Sequence, residues 1–109
     1  MAVVIVDDIV VPEQLEKAKE DYGEYVKIVI DIETETMAIG GEWHADAERV
    51  LLGQGSKQDD LWGGGIDLSN KKIDVIALIN IRPRLGNDSQ EILDEKKKKR
   101  FVEVVKKKF

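Results

Sequence analysis

Glu42, His44, Asp46 and Glu48 follow one another at a spacing of two, so an extended chain would put one imidazole and three carboxylates on a single face. That is a ligand set for a divalent ion such as Mg²⁺, Mn²⁺ or Zn²⁺, with His44, Asp46 and Glu48 as its metal candidates. The same residues can do acid–base chemistry. His44 is the only histidine of the chain, and with Glu42 or Asp46 to orient it, it is the candidate general base. A competing pattern starts near Ala45, where Ala47, Val50 and Leu51 take helical spacing. On that reading Asp46 and Glu48 sit in a first turn and serve only the positive end of the helix dipole. One histidine and no cysteine exclude a closed structural zinc site, and nothing in the sequence requires a cofactor.

Two further clusters carry polar groups that a small fold does not need. Gly53 to Gly65, GQGSKQDDLWGGG, holds Lys57 in a glycine-flanked turn capped by Ser56 and so suggests an anion cradle. Its spacing is not that of a phosphate-binding loop, and Asp59 and Asp60 would repel a phosphate. Trp62 reads as a core anchor. The third cluster is Asn80, Arg82, Pro83, Arg84, Gly86 and Asn87. By strand parity Asn80 and Arg82 share a face with Ile76 and Leu78 and emerge at a sheet edge, where a partly buried guanidinium needs a carboxylate or an anionic ligand. Either Asn80, Arg82, Asn87 and Lys57 bind an anion, or Arg82 pairs with an internal carboxylate such as Glu42 or Asp46 and ties its loop down.

The elements that must position these groups follow from periodicity and punctuation. Ala2 to Val6 reads as a buried strand, and Pro12 opens a helix with Leu15, Ala18 and Tyr22 inward and Gly23 at its end. Val26, Ile28, Ile30 and Ile32 alternate with Lys27, Asp31 and Glu33 in a strand that Val29 interrupts, and Met37 to Ile39 returns as the partner of an antiparallel hairpin. A helix ending at Gly53 and a short helical turn after Ser56 come next, then a flexible loop at Gly63 to Gly65 and a turn at Asp67 to Asn70. Lys72 to Ile81 reads as the longest strand, apolar on both faces and therefore central. The pattern is α+β: one domain over residues 1–109, a small mixed sheet of four to five strands packed with three to four helices as a single pair of layers.

The chain has 109 residues, 36% of them charged, with a net charge of −5. Residues 1–95 hold 21 acidic and 9 basic side chains, and residues 96–109 hold 8 basic and 1 acidic. A nucleic-acid tail is one reading of EKKKKRFVEVVKKKF. Phe101, Val104 and Val105 instead make it an amphipathic helix, with Asp94 as its cap and a cationic face that complements an acidic body, which argues against nucleic-acid binding. The high charge, seven Asn plus Gln and absence of cysteine resemble thermophile compositions, so most of this charge reads as stability. No apolar run approaches the ~20 residues of a membrane span, and the first residues lack a basic leader, so a soluble cytoplasmic protein is expected, monomeric or a small homo-oligomer.

HADAE at 44–48, LLGQGSKQDDLWG at 51–63 and LINIRPRLGN at 78–87, followed by a charged terminal helix, resemble a family of small bacterial and archaeal proteins catalogued as a domain of unknown function. The resemblance spans nearly the whole chain and implies no activity. Two functions are drawn from the residues themselves. One is a binding module whose His/Asn/Arg-lined cleft takes an anionic small molecule or protein segment. The other is a metal-assisted or acid–base hydrolase or lyase built on His44 and neighbouring carboxylates.

Overall fold

The computed structural model describes residues 2–109. Five strands form one sheet in the order β1-β3-β2-β4-β5: β1 is Val3–Val6, β2 Tyr25–Asp31, β3 Met37–Gly40, β4 Leu61–Asp67 and β5 Lys72–Asp74. Every pairing is antiparallel, which replaces the expected mixture. The helices are α1 (Pro12–Ala18), α2 (His44–Gly53) and α3 (Glu95–Lys108), with short 3-10 turns at Gln58–Asp60, Leu78–Asn80 and Pro83–Leu85.

Strand parity divides the core. Val26, Ile28 and Ile30 of β2, with Met37, Ile39, Trp62 and Ile66, pack against Ala18 of α1 and Phe101, Val104 and Val105 of α3. Val29, Ala38 and Leu61 point the other way and meet Ala47 and Leu51 of α2. The sheet is therefore covered on both faces, giving three layers and not one pair. Val29, which breaks the alternation of β2, is the residue that faces α2.

The two ends of α3 are held by opposite devices. The Asp94 carboxylate accepts from the Lys96 and Lys97 amides at its start. At its end Lys108, only 4% exposed, donates to the Val6, Asp7 and Glu35 carbonyls and ties the helix to the edge of β1 and the hairpin turn. Burial draws its ammonium below the ordinary lysine value, against the pull of Glu35 and Asp7. Four other basic groups of α3 meet partners within the chain: Lys98 faces Glu91 and Glu95, Arg100 and Lys107 face Glu35, and Lys97 lies over the Trp62 ring.

The largest departure from expectation lies between residues 63 and 81. Gly63 to Gly65 is no loop but the buried middle of β4, paired along its length with β2. Each glycine is there because a neighbour stands where a side chain would go. A Cβ on Gly63 would lie 2.7 Å from the Ala77 methyl, one on Gly64 would lie 2.7 Å from the Phe101 ring, and one on Gly65 would overlap the Tyr25 ring. Conversely, the expected long central strand is short and at the edge. β5 ends at Asp74, and Leu78–Asn80 is a 3-10 turn.

Candidate functional site

β5 stops while β4 still has backbone to pair. Gly65 pairs with Asp74, and the next outward-facing residue of β4 is Gly63. There the side chain of Asn80 replaces the missing strand. Its Oδ1 accepts from the Gly63 amide at 2.8 Å, and its Nδ2 donates to the Gly63, Val75 and Gln90 carbonyls at 2.9, 3.1 and 2.8 Å. A primary amide carries the donor and acceptor of a peptide group, which is why asparagine fits this position. Asn87 repeats the device one turn on. Its Nδ2 faces the Asn80, Ser89 and Glu91 carbonyls, and its Oδ1 accepts from the Leu93 amide. Asn80 and Asn87 are 0% and 3% exposed, so neither amide has a group left for a ligand.

Arg82 is likewise occupied. Its guanidinium donates to the Leu61 carbonyl at 2.6 Å and to Glu48 Oε2 at 3.1 Å, and it stacks on Trp62. The two side chains of this ion pair are only 9% and 13% exposed, which makes it a buried lock between α2 and the loop after Asn80. Burial lowers the Arg82 guanidinium from its ordinary value while Glu48 pulls it back. An internal carboxylate does hold Arg82, and it is Glu48 in place of the expected Glu42 or Asp46.

The acidic cluster does not assemble. Asp46 Oδ2 accepts from the Trp43 amide and caps α2, Glu48 belongs to Arg82, and the Glu42 side chain is exposed. No group of three or more potential ligands lies together among the described residues. His44, Asp46 and Glu48 thus form no common metal cage, because the helix turns them apart. Lys57 is exposed ahead of the turn Gln58–Asp60, and Ser56 Oγ donates to Asp31 and does not cap that turn.

His44 does reach open space. As the first residue of α2 it points over the sheet, and its Nε2 lies 2.7 Å from the Gly64 carbonyl. A carbonyl only accepts, so Nε2 carries the proton of the neutral ring and Nδ1 keeps a lone pair. Among the described residues no carboxylate is hydrogen-bonded to the ring. The imidazole lines a cleft of about 350 Å³ together with Lys27, Trp43, Ile76, Leu78 and Gln90. Trp43, Ile76 and Leu78 are 57%, 50% and 64% exposed, an apolar rim on a chain whose other tryptophan is buried. Lys27 enters from β2. Its ammonium donates to the Glu42 carbonyl at 2.6 Å between the Tyr22 and Trp43 rings, and among the described residues it meets no carboxylate within ion-pair distance. Beside the cleft the Tyr25 hydroxyl donates to Asp74 at 2.8 Å, and burial first, then Asp74, pushes that phenol above its usual range.

Lys27, Ile76, Leu78 and Gln90 escaped the sequence reading. Lys27 alternates with the apolar residues of β2 and so reads locally as solvated, and the signal against that is Val29 two residues on, which requires the same face of β2 to be covered. Ile76 and Leu78 look like core by composition, and only the early end of β5 turns them outward.

Burial lowers the His44 imidazole from its ordinary value. The bond to Gly64 opposes this, Lys27 adds to it and Asp74 opposes it. The fold then binds fewer protons here than the unfolded chain. The stability His44 supports is present above the unfolded value near ~6.5 and is lost as pH falls through the lower folded value. His44→Gln, which keeps an N–H for the Gly64 carbonyl, should flatten that decline. Urea midpoints at about pH 7.5 and 5.5 should separate more for the wild type than for the variant. Equal separations would mean that folding leaves the His44 imidazole at its ordinary value.

No helix among the described residues is long and apolar enough to cross a membrane. Searches of curated proteins and of solved structures find no match to the chain. Residues 4–108, which include the acid–histidine segment, the glycine strand and the Asn80–Arg82 loop, match the family described as protein of unknown function (DUF5674), and the chain belongs to that family.

Proposed function

We propose that this chain is a binding module whose cleft between the start of α2 and the turn at Leu78–Asn80 takes an anionic ligand with an apolar body. One observation carries the reading. Lys27 has a partly buried side chain whose ammonium faces aromatic rings and one carbonyl but, among the described residues, no carboxylate, in a protein of net charge −5. Such a cation gains from an anion that brings its own apolar surface, because the pair then forms with less water around it. Trp43, Ile76 and Leu78 supply the apolar contact, and His44 Nδ1 and Gln90 supply orientation. A soluble, cytoplasmic location belongs to this reading and is supported by the ionic surface.

The hydrolase or lyase reading draws less support. Among the described residues no carboxylate orients the His44 ring, Asp46 and Glu48 are spent on a cap and an ion pair, and no hydroxyl or thiol side chain lines the cleft.

Phenylacetate, a carboxylate on a flat apolar body, is a suitable probe. Its titration should shift the emission of Trp43, the exposed tryptophan, with a Kd in about the millimolar range expected of so small a ligand. Lys27→Met keeps the apolar stem and should weaken binding by about 5–10-fold, or ~1–1.4 kcal/mol. Equal affinity in the variant would remove Lys27 as the anchor.

A further inference from the structure

A second cleft, of about 370 Å³, adjoins the first and shares Leu78 and Ile79 with it, and beyond these it is lined by Ile81, Arg82, Arg84 and Gln58. From the two clefts and their charges we infer that the natural ligand is an extended segment of a partner protein, with two or three large apolar side chains between acidic residues. This rests on the binding-module reading above and names the class of its ligand.

Three observations support a segment over a compact molecule. Ile76, Leu78 and Ile81 are 50%, 64% and 43% exposed, and since Leu78 lines both clefts they form one apolar stripe across the two. A small ligand in either cleft alone would leave much of that stripe in water, whereas small-molecule sites enclose most of their ligand. The stripe also has a cation at each end. Lys27 stands at one, without a carboxylate partner. Arg84 stands at the other, its side chain 69% exposed and paired with an Asp59 that is itself 47% exposed. A pair so exposed holds little energy, so a carboxylate of the partner can take Asp59's place at small cost. The carboxylate that lines the second cleft, Glu48, is already bound to Arg82. Apolar side chains of an extended segment alternate with residues pointing away, so every second residue would meet the stripe while acidic residues before and after it reach Lys27 and Arg84.

The test uses the full chain and three probes: phenylacetate, a short capped peptide of alternating leucine and serine between pairs of aspartate, and the same peptide with lysine for aspartate. Trp43 emission reads binding, and sedimentation reads self-association. The acidic peptide should bind at least about tenfold tighter than phenylacetate, and the lysine peptide should not bind. Arg84→Glu should weaken the acidic peptide by about tenfold and give the lysine peptide measurable affinity. Its far-ultraviolet circular dichroism should match the wild type, since an exposed pair is lost. If phenylacetate binds and the acidic peptide binds no tighter, or if Arg84→Glu leaves the peptide preference unchanged, the segment is wrong and the binding module stands. If neither probe binds, the module reading fails as well. Self-association that blocks the peptide would assign the stripe to a second copy of this chain and overturn the inference.

Discussion

Asn80→Ala is expected to cost about 3–5 kcal/mol of folding stability, a large share of the ~5–15 kcal/mol by which folded proteins are stable. The side chain is fully buried and, among the described residues, is the partner of the outward amide of Gly63. Its removal leaves that amide and the Gly63 carbonyl facing a buried hole, while the Val75 and Gln90 carbonyls keep the Ile92 and Ala77 amides. Asn80→Asp sharpens the test. A carboxylate has the same shape and still accepts from Gly63, but it would oppose the Gly63, Val75 and Gln90 carbonyls with no hydrogen to offer, so its loss should be similar at neutral pH. Urea unfolding gives both values. A loss below about 1 kcal/mol for alanine would mean that the Asn80 amide does not stand in for a strand.

The second large effect is expected at Gly64. An alanine methyl there would press on the Asp74 carbonyl and lie 2.7 Å from the Phe101 ring, on a strand held on both sides by the ladder. Neither neighbour can yield without moving β5 or α3. Gly64→Ala should therefore cost about 3 kcal/mol or more, the upper part of the range for overfilled cores. Gly53, the last residue of α2, has open space around its position, and Gly53→Ala should instead stabilise by about 0.5–1 kcal/mol through helix propensity. Opposite signs at two glycines eleven positions apart in the sequence separate a packing requirement from a general preference for glycine. Equal, small effects would contradict the placement of Gly63 to Gly65 in the core.

These two positions also mark where local sequence stops carrying the fold. The hairpin of β2 and β3, α2, the Asp94 cap and the buried stripe of α3 were legible because their signals are local: alternation, helical spacing, a cap three residues from the amide it serves. The glycine triplet reads locally as a flexible loop. What makes it a central strand is the approach of Ala77, Phe101 and Tyr25 from three other elements, which no window of sequence contains. The same limit explains residues 72–81. Their apolar composition suits a long strand, but Asn80 supplies the pairing that the rest of β5 would have made, freeing Ile76 and Leu78 to face outward. Of the candidate site, His44 was legible as the lone imidazole and Arg82 as a guanidinium in need of an acid. The partner of Arg82 was not, since Asp46 and Glu48 differ only in which way one helix turn points them and Glu42 lies just ahead of that helix. Lys27 was hidden by an alternation that assumed one solvated face.

The central claim is that the cleft holding Lys27 and His44 is where this protein binds. Amide chemical-shift mapping with phenylacetate on the isotopically labelled chain tests it most directly, because it reports place as well as affinity. Saturable shifts centred on Lys27, Trp43, His44, Ala45, Ile76 to Ile79 and Gln90 are the predicted result. Shifts centred instead on Lys57 and the Ser56 turn or on the terminal lysines of α3, or none at concentrations where a millimolar ligand would saturate, would contradict it.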